Sequence, residues 1–298
     1  MTTQPYRDIW TRSQDGLRLH ARSYGDPRAA ATPIVCLPGL ARHAGDFHDL
    51  ATALAGPGEA SPRHVVAIDY RGRGQSDHDP KPANYTVAVE TADLLAVLAE
   101  LGIRRAIFVG TSRGGIITMG LASAVPEMVA GAVLNDIGPV IERAGLIRIK
   151  GYVGKLGQPK DVTDAAAIVA RVFGAQFPNL AGSDWQAWAR TTWEEKAGRL
   201  VLTYDPALAL TVEAVGPDSE IPDLWPLFGA LKDVRVLLIR GGLSDLLSEA
   251  TAAEMMARHP DLDLLTVPDQ GHAPLLKGEA MMTAISRFVE RIEAKGPG

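Results

Sequence analysis

Short apolar runs set the rhythm of this chain. Residues 33–37, 64–68, 105–109, 130–134, 234–239 and 262–267 are rich in Val, Ile and Leu and bounded by turn-forming residues. That is the pattern of strands buried on both faces of a parallel sheet. Two further stretches, 7–11 and 17–24, flank Gln14-Asp15-Gly16 and predict an opening hairpin. Between the runs lie helical periods; within 86–101, Leu94, Leu95, Leu98 and Leu101 share one face. Alternating strand and helix predict a mostly parallel, eight-stranded twisted sheet with helices on both sides. Residues 139–222 break the alternation. They hold amphipathic stretches at 163–173 and 183–195, with Trp185, Trp188 and Trp193, and no buried strand run. They predict a helical insertion after the sixth strand, between core segments 1–138 and 223–298. No internal repeat or low-complexity segment interrupts this plan.

Composition narrows the picture a little. A chain of 298 residues, 46% hydrophobic, has ample material for a core. A net charge of −5 without a Lys/Arg cluster gives no reason to expect a nucleic-acid partner. Cys36 is the single cysteine, so no internal disulfide can form. Met1 to Asp8 lacks the apolar centre of a signal peptide, and no apolar run approaches the length of a membrane span. The expected setting is cytoplasmic, with no membrane partner, as a monomer or homodimer.

The candidate chemistry begins at Gly110-Thr111-Ser112-Arg113-Gly114-Gly115, directly after the run at 105–109 and before a helical stretch. A serine between glycines on a strand-to-helix turn is a nucleophile elbow: the strained turn lifts the hydroxyl clear of the sheet and needs small residues two before and two after. The base and acid follow in order. Asp245 lies in Gly241-Gly242-Leu243-Ser244-Asp245 after the seventh strand, and His272 in Gln270-Gly271-His272-Ala273-Pro274 after the eighth. All three sit beyond carboxyl ends of strands, where open parallel sheets gather catalytic groups.

With these residues in this order, the chain resembles the α/β-hydrolase superfamily, and within it the capped esterase and carbon–carbon hydrolase branch, from about residue 6 to about residue 293. The resemblance implies the α/β-hydrolase fold, with 139–222 as a helical cap over the nucleophile. It implies Ser112, His272 and Asp245 as catalytic triad. Asp136, after the sixth strand, is the rival acid, because some related enzymes place the acid there; its expected role is to anchor the start of the cap through backbone hydrogen bonds. The oxyanion hole is expected from the backbone N–H groups of Arg113, after the nucleophile, and Leu40, in Leu37-Pro38-Gly39-Leu40-Ala41-Arg42-His43. Similar hydrolases carry a His-Gly pair in that loop; here Pro38 replaces the histidine, so what holds the loop rigid is open.

His43, Trp185 and Trp188 are candidate substrate-binding residues. His43 is expected to line the pocket rim or to face solvent, with solvent favoured, and the i, i+3 spacing of the tryptophans suits the insertion's own core. The Arg113 side chain could bias the site toward anions, or turn into the packing against a carboxylate; the latter is favoured, since only its backbone must face substrate. Asp69-Tyr70-Arg71-Gly72-Arg73-Gly74-Gln75-Ser76 lacks phosphate-loop spacing. It resembles the structural loop after the fourth strand of α/β-hydrolases, tied by Asp69 and Arg71. No His or Cys pair has metal-ligand spacing.

The implied activity is cleavage of small to medium carboxylic esters through an acyl-enzyme, with a small-molecule ester-like substrate and no cofactor or metal. Carbon–carbon, lactone or amide hydrolysis, acyl transfer and perhydrolysis use the same triad. The competing class is a non-catalytic binding protein on this fold.

Overall fold

The computed structural model describes residues 5–56 and 63–294. Residues 1–4 of the N-terminal stretch considered above, and 57–62 and 295–298 of the two core segments, lie outside the described residues. In chain order the elements begin with β1 (Tyr6–Arg12), β2 (Arg18–Tyr24), β3 (Ile34–Leu37), α1 (His48–Ala55), β4 (Val65–Asp69), α2 (Val87–Glu100), β5 (Ala106–Thr111), α3 (Arg113–Ala124) and β6 (Val129–Asn135). Next come α4 (Arg143–Tyr152), α5 (Val162–Phe173), α6 (Gly182–Thr192), β7 (Trp193–Lys196) and β8 (Arg199–Leu202). The chain closes with α7 (Trp225–Gly229), β9 (Val236–Gly241), α8 (Glu249–Arg258), β10 (Leu262–Val267) and α9 (Glu279–Ala294).

Eight strands form one sheet in the order β1-β2-β4-β3-β5-β6-β9-β10. β1–β2 and β2–β4 are antiparallel; the other pairs are parallel. The period of two explains why the inner strands are apolar throughout. Val35, Val66, Phe108, Leu134 and Leu238 face one layer with α2, α3 and α8, whereas Cys36, Ala67, Val109, Val133 and Ile239 face the other with α1 and α9. Phe108 is fully buried, so Phe108→Ala would cost about 3–5 kcal/mol. Helix starts follow local rules: Thr86 caps α2 through the Val89 amide at 3.2 Å, and Asp161 caps α5 through the Asp164 amide at 2.9 Å.

No element of 139–222 joins the large sheet. Its α5 and α6 build a separate small core from Ile168, Val169, Phe173, Phe177 and Ala189, with Trp193 buried and Trp185 and Trp188 packed against it. The helix expected over 183–195 stops at Thr192, and the chain turns into the hairpin β7–β8. Ala197 and Gly198 both take positive φ at its tip. Two successive left-handed residues make a tight primed turn, which favours a hairpin over continued helix.

Candidate active site

β5 ends beside β3 and β6, in the middle of the sheet. Ser112 follows with φ 51° and ψ −111°, a strained conformation for a non-glycine residue. The strain is locked in by close packing. A Cβ at Gly110 would overlap the Gly114 backbone, and one at Gly114 would overlap the Leu37 carbonyl. Ser112 occupies the position before α3, where a serine commonly caps the helix. Here its side chain makes no cap bond. Its Oγ instead lies 2.9 Å from His272 Nε2. The Ser112 amide donates to the Asn135 carbonyl at 3.0 Å, which ties the turn to β6.

The carboxylate beneath the imidazole is Asp136. His272 Nδ1 lies 2.8 Å from Asp136 Oδ2. Asp136 is fully buried and also accepts from the Gly241 amide (Oδ1, 2.7 Å) and the Ser244 hydroxyl (Oδ2, 2.5 Å). Its own φ of 55° bends the chain at the end of β6, and its amide donates to the Ile239 carbonyl at 2.7 Å. Aspartate tolerates the left-handed region better than most residues.

Asp245, expected in this place, is turned away. Its carboxylate takes a fork from Arg148 of α4, Nε to Oδ2 at 2.6 Å and Nη2 to Oδ1 at 2.8 Å. Its carbonyl accepts from the Gly145 amide at 2.9 Å. Partial burial would raise its carboxyl, but hydrogen bonds from Arg148 and Gln176 and the Arg148 charge hold it below the ordinary value. The physical reason is competition. A fixed bidentate cation claims Asp245, while a buried site completed by an amide, a hydroxyl and the imidazole accepts Asp136.

Gln176 was not singled out in the sequence. Its Oε1 accepts from the His272 amide at 3.0 Å and its carbonyl from the Gly271 amide at 2.7 Å. It thereby fixes the histidine loop from the inserted segment; a lone glutamine between helices carries no signal for this. Asn135 likewise bridges loops, its Nδ2 donating to Thr111 Oγ1 at 3.1 Å and the Pro274 carbonyl at 3.0 Å.

A cavity of about 370 Å³ opens on Ser112 and His272. Its walls come from the Leu40 loop and from the insertion, with Ile149, Tyr152, Phe173 and Trp188 among the apolar lining. Trp188 meets the cavity, whereas Trp185 is not part of its wall and stacks on Trp188 at 5.7 Å. His43 does not line it either. The ring is almost buried: Nε2 donates to the Thr191 carbonyl at 2.7 Å and Nδ1 accepts from the Gly45 amide at 3.1 Å. Two backbone partners use both ring nitrogens, so His43 fastens the end of α6 to the core and has nothing left for substrate.

Leu40 lies in the cavity wall, and a Cβ on its neighbour Gly39 would stand 3.8 Å from the Ser112 Cβ. Among the described residues, neither the Leu40 nor the Arg113 amide donates to a protein acceptor. The Arg113 side chain runs into the packing, as favoured above: Nε binds Glu90 and Nη2 donates to the Tyr85 carbonyl at 3.0 Å. Asp69 ties its loop together, accepting from the Ala44 and Gln75 amides at 2.7 and 3.0 Å and contacting His20 at 2.6 Å. Arg71 pairs with Asp15, Asp79 and Asp93. No cluster of three or more His, Cys, Asp or Glu suited to a metal ion occurs among the described residues.

An eight-stranded sheet with a strained serine on its central turn and a histidine beside it defines a class of hydrolase. Residues 34–284 match the Alpha/beta hydrolase family, and the chain belongs to it. It is 32% identical over 278 residues to a protein of Cupriavidus necator described as 3-hydroxybutyrate-oligomer hydrolase, covering 91% of this chain and 92% of that one. It is 30% identical to a 2-(acetamidomethylene)succinate hydrolase of Mesorhizobium japonicum over 76% of this chain and 78% of that protein. The crystal structure of an alpha/beta hydrolase from Novosphingobium aromaticivorans superimposes with a TM-score of 0.89 at 41% identity, covering 97% of this chain and 99% of that one.

Proposed function

We propose that this hydrolase cleaves carboxylic esters through an acyl-enzyme, with Ser112 as nucleophile, His272 as general base and acid, and Asp136 as the group that orients and stabilises the imidazole. The observation that carries the reading is the imidazole itself, 2.9 Å from the serine oxygen on one side and 2.8 Å from a buried carboxylate on the other. An unassisted hydroxyl is a poor nucleophile near neutrality, and this arrangement supplies the missing base.

In the first half-reaction Ser112 Oγ bonds to the substrate carbonyl carbon and its proton passes to His272 Nε2. The oxyanion is held by the amides of Leu40 and Arg113, both without a protein acceptor. Collapse expels the alcohol, which takes the proton from His272. Water then attacks the acyl-serine by the same route, releasing the acid and regenerating the serine. Residues 139–222 act as the cap: they supply the far wall of the cavity, and its apolar lining suits a small to medium acyl chain. The similarity to a 3-hydroxybutyrate-oligomer hydrolase supports including esters between hydroxy acids among the substrates.

An ester panel of increasing acyl length, read with pre-steady-state mixing, tests this. Wild-type protein should release one equivalent of alcohol per site in a burst, and Ser112→Ala none. Absence of any burst or turnover in the wild type would reject the assignment.

A further inference from the structure

The loop carrying Leu40 has Pro38 before Gly39 and no side chain there that can hydrogen-bond, yet its backbone is firmly held. The Gly39 carbonyl, which shares a peptide plane with the Leu40 amide, accepts from the Arg42 amide at 3.2 Å. The Leu40 carbonyl accepts from Arg73 Nε at 2.8 Å. Arg73 is completely buried, an expensive place for a cation. Its Nη1 donates to the Arg71 carbonyl at 2.7 Å and lies 2.7 Å from Glu90 Oε1, an ion contact without the alignment of a hydrogen bond. The rings of Tyr70 and Tyr85 flank its guanidinium at 5.7 and 5.4 Å. Glu90, also completely buried, binds Arg113 through its other oxygen.

A single buried carboxylate thus joins two arginines. One pins Leu40, and the other is the residue after Ser112. We infer that the Arg73–Glu90–Arg113 chain is the positioning device of the oxyanion hole, setting the Leu40 and Arg113 amides relative to each other. Arg73 and Glu90 touch no reacting atom. They act by holding the two donors, and the excess of one positive charge among the three groups favours the oxyanion from behind. This rests on the assignment of Ser112 as the nucleophile. It also accounts for Gly72-Arg73-Gly74: the flanking glycines adopt φ 72° and 56°, and a Cβ on either would strike Tyr85 or Asp69.

The test compares Arg73→Gln, Arg73→Lys and Glu90→Gln with wild type, each rate normalised to active sites titrated by a fluorophosphonate. The expected result for Arg73→Gln is a fall in kcat of about 30- to 100-fold with KM changed less than about 3-fold, short of the loss of a whole donor. Affinity for a trifluoromethyl ketone, which forms a tetrahedral adduct on the serine, should fall in parallel. Arg73→Lys should recover part of both, because it restores the charge but not the fork. A purely structural role would lower the titrated fraction and the melting temperature while leaving per-site kcat and adduct affinity at wild-type values, and that outcome overturns the inference. If Arg73→Gln does not fold, Arg73→Lys and Glu90→Gln decide by the same measures. A wild type that neither reacts with the fluorophosphonate nor binds the ketone would instead overturn the nucleophile assignment.

Discussion

Two loops at the carboxyl edge of the sheet each carry an aspartate close to the histidine, and they have divided the work. The loop after β6 sends Asp136 inward, completely buried, with two core donors besides the imidazole. The loop after β9 sends Asp245 outward to Arg148 of the insertion, where about a quarter of its side chain stays exposed. The first is built for charge held in one orientation; the second is built as a fastener between layers. Ser244 joins the two, since its hydroxyl donates to Asp136 from the very loop that carries Asp245. Proximity to an imidazole therefore does not decide which carboxylate pairs with it. What decides is which other donors have already claimed the oxygens.

The sharpest way to break this comparison is to remove each group in turn. Ser112→Ala sets the floor, with kcat expected to fall by at least about 10⁴-fold in an activated-ester assay. Asp136→Asn should lower kcat by about 10³- to 10⁴-fold, because an amide presents the wrong partner to Nδ1. Asp245→Asn should lower it less than about 5-fold in the same assay; the reverse ranking would restore Asp245 as the acid.

Next in size come the tryptophans. Trp188→Ala should shift preference toward longer acyl chains by about 10-fold in kcat/KM, since a hydrophobic pocket discriminates by about 1–3 kcal/mol for each methylene. Trp185→Ala should lower the melting temperature with no change in that profile. An equal shift in chain-length preference from both would place Trp185 in the substrate wall after all.

The smallest effect concerns pH. Asp245 has a folded value below the ordinary 3.8, so its contribution to stability is fully present above that value and is lost as pH falls through the lower one. The unfolding free energy of Asp245→Asn should therefore lie about 1 kcal/mol below wild type from neutrality down to about pH 5, and the gap should narrow from about pH 4 downward as the pH falls through the lower folded value. A gap unchanged at pH 3 would mean that Arg148 does not draw its stabilising effect from the ionised carboxylate.

Much of the fold was legible along the chain because its signals are local. The inner strands are continuous apolar runs since both their faces are buried, and α2 begins where Thr86 can cap it. The serine turn was legible for the same reason: Gly110 and Gly114 are required by overlaps within a few residues and with the adjoining strand. The hairpin β7–β8 is not legible along the chain, because Trp193 and the residues after it fit a helical period as well as a strand. Only the left-handed Ala197-Gly198 tip separates the two.

Sequence order alone determined a sheet, an elbow and a histidine after the last strand, because each depends on neighbours in the chain or on strand succession. Tertiary structure decided which aspartate meets that histidine, whether His43 and Trp185 reach the cavity, and what steadies the Leu40 loop. The partners that settle these questions, Arg148, Ser244, Thr191 and Arg73, come from distant parts of the chain. A carboxylate or imidazole takes the role left open by the strongest donors and acceptors that folding places beside it, and that competition has no trace in linear spacing.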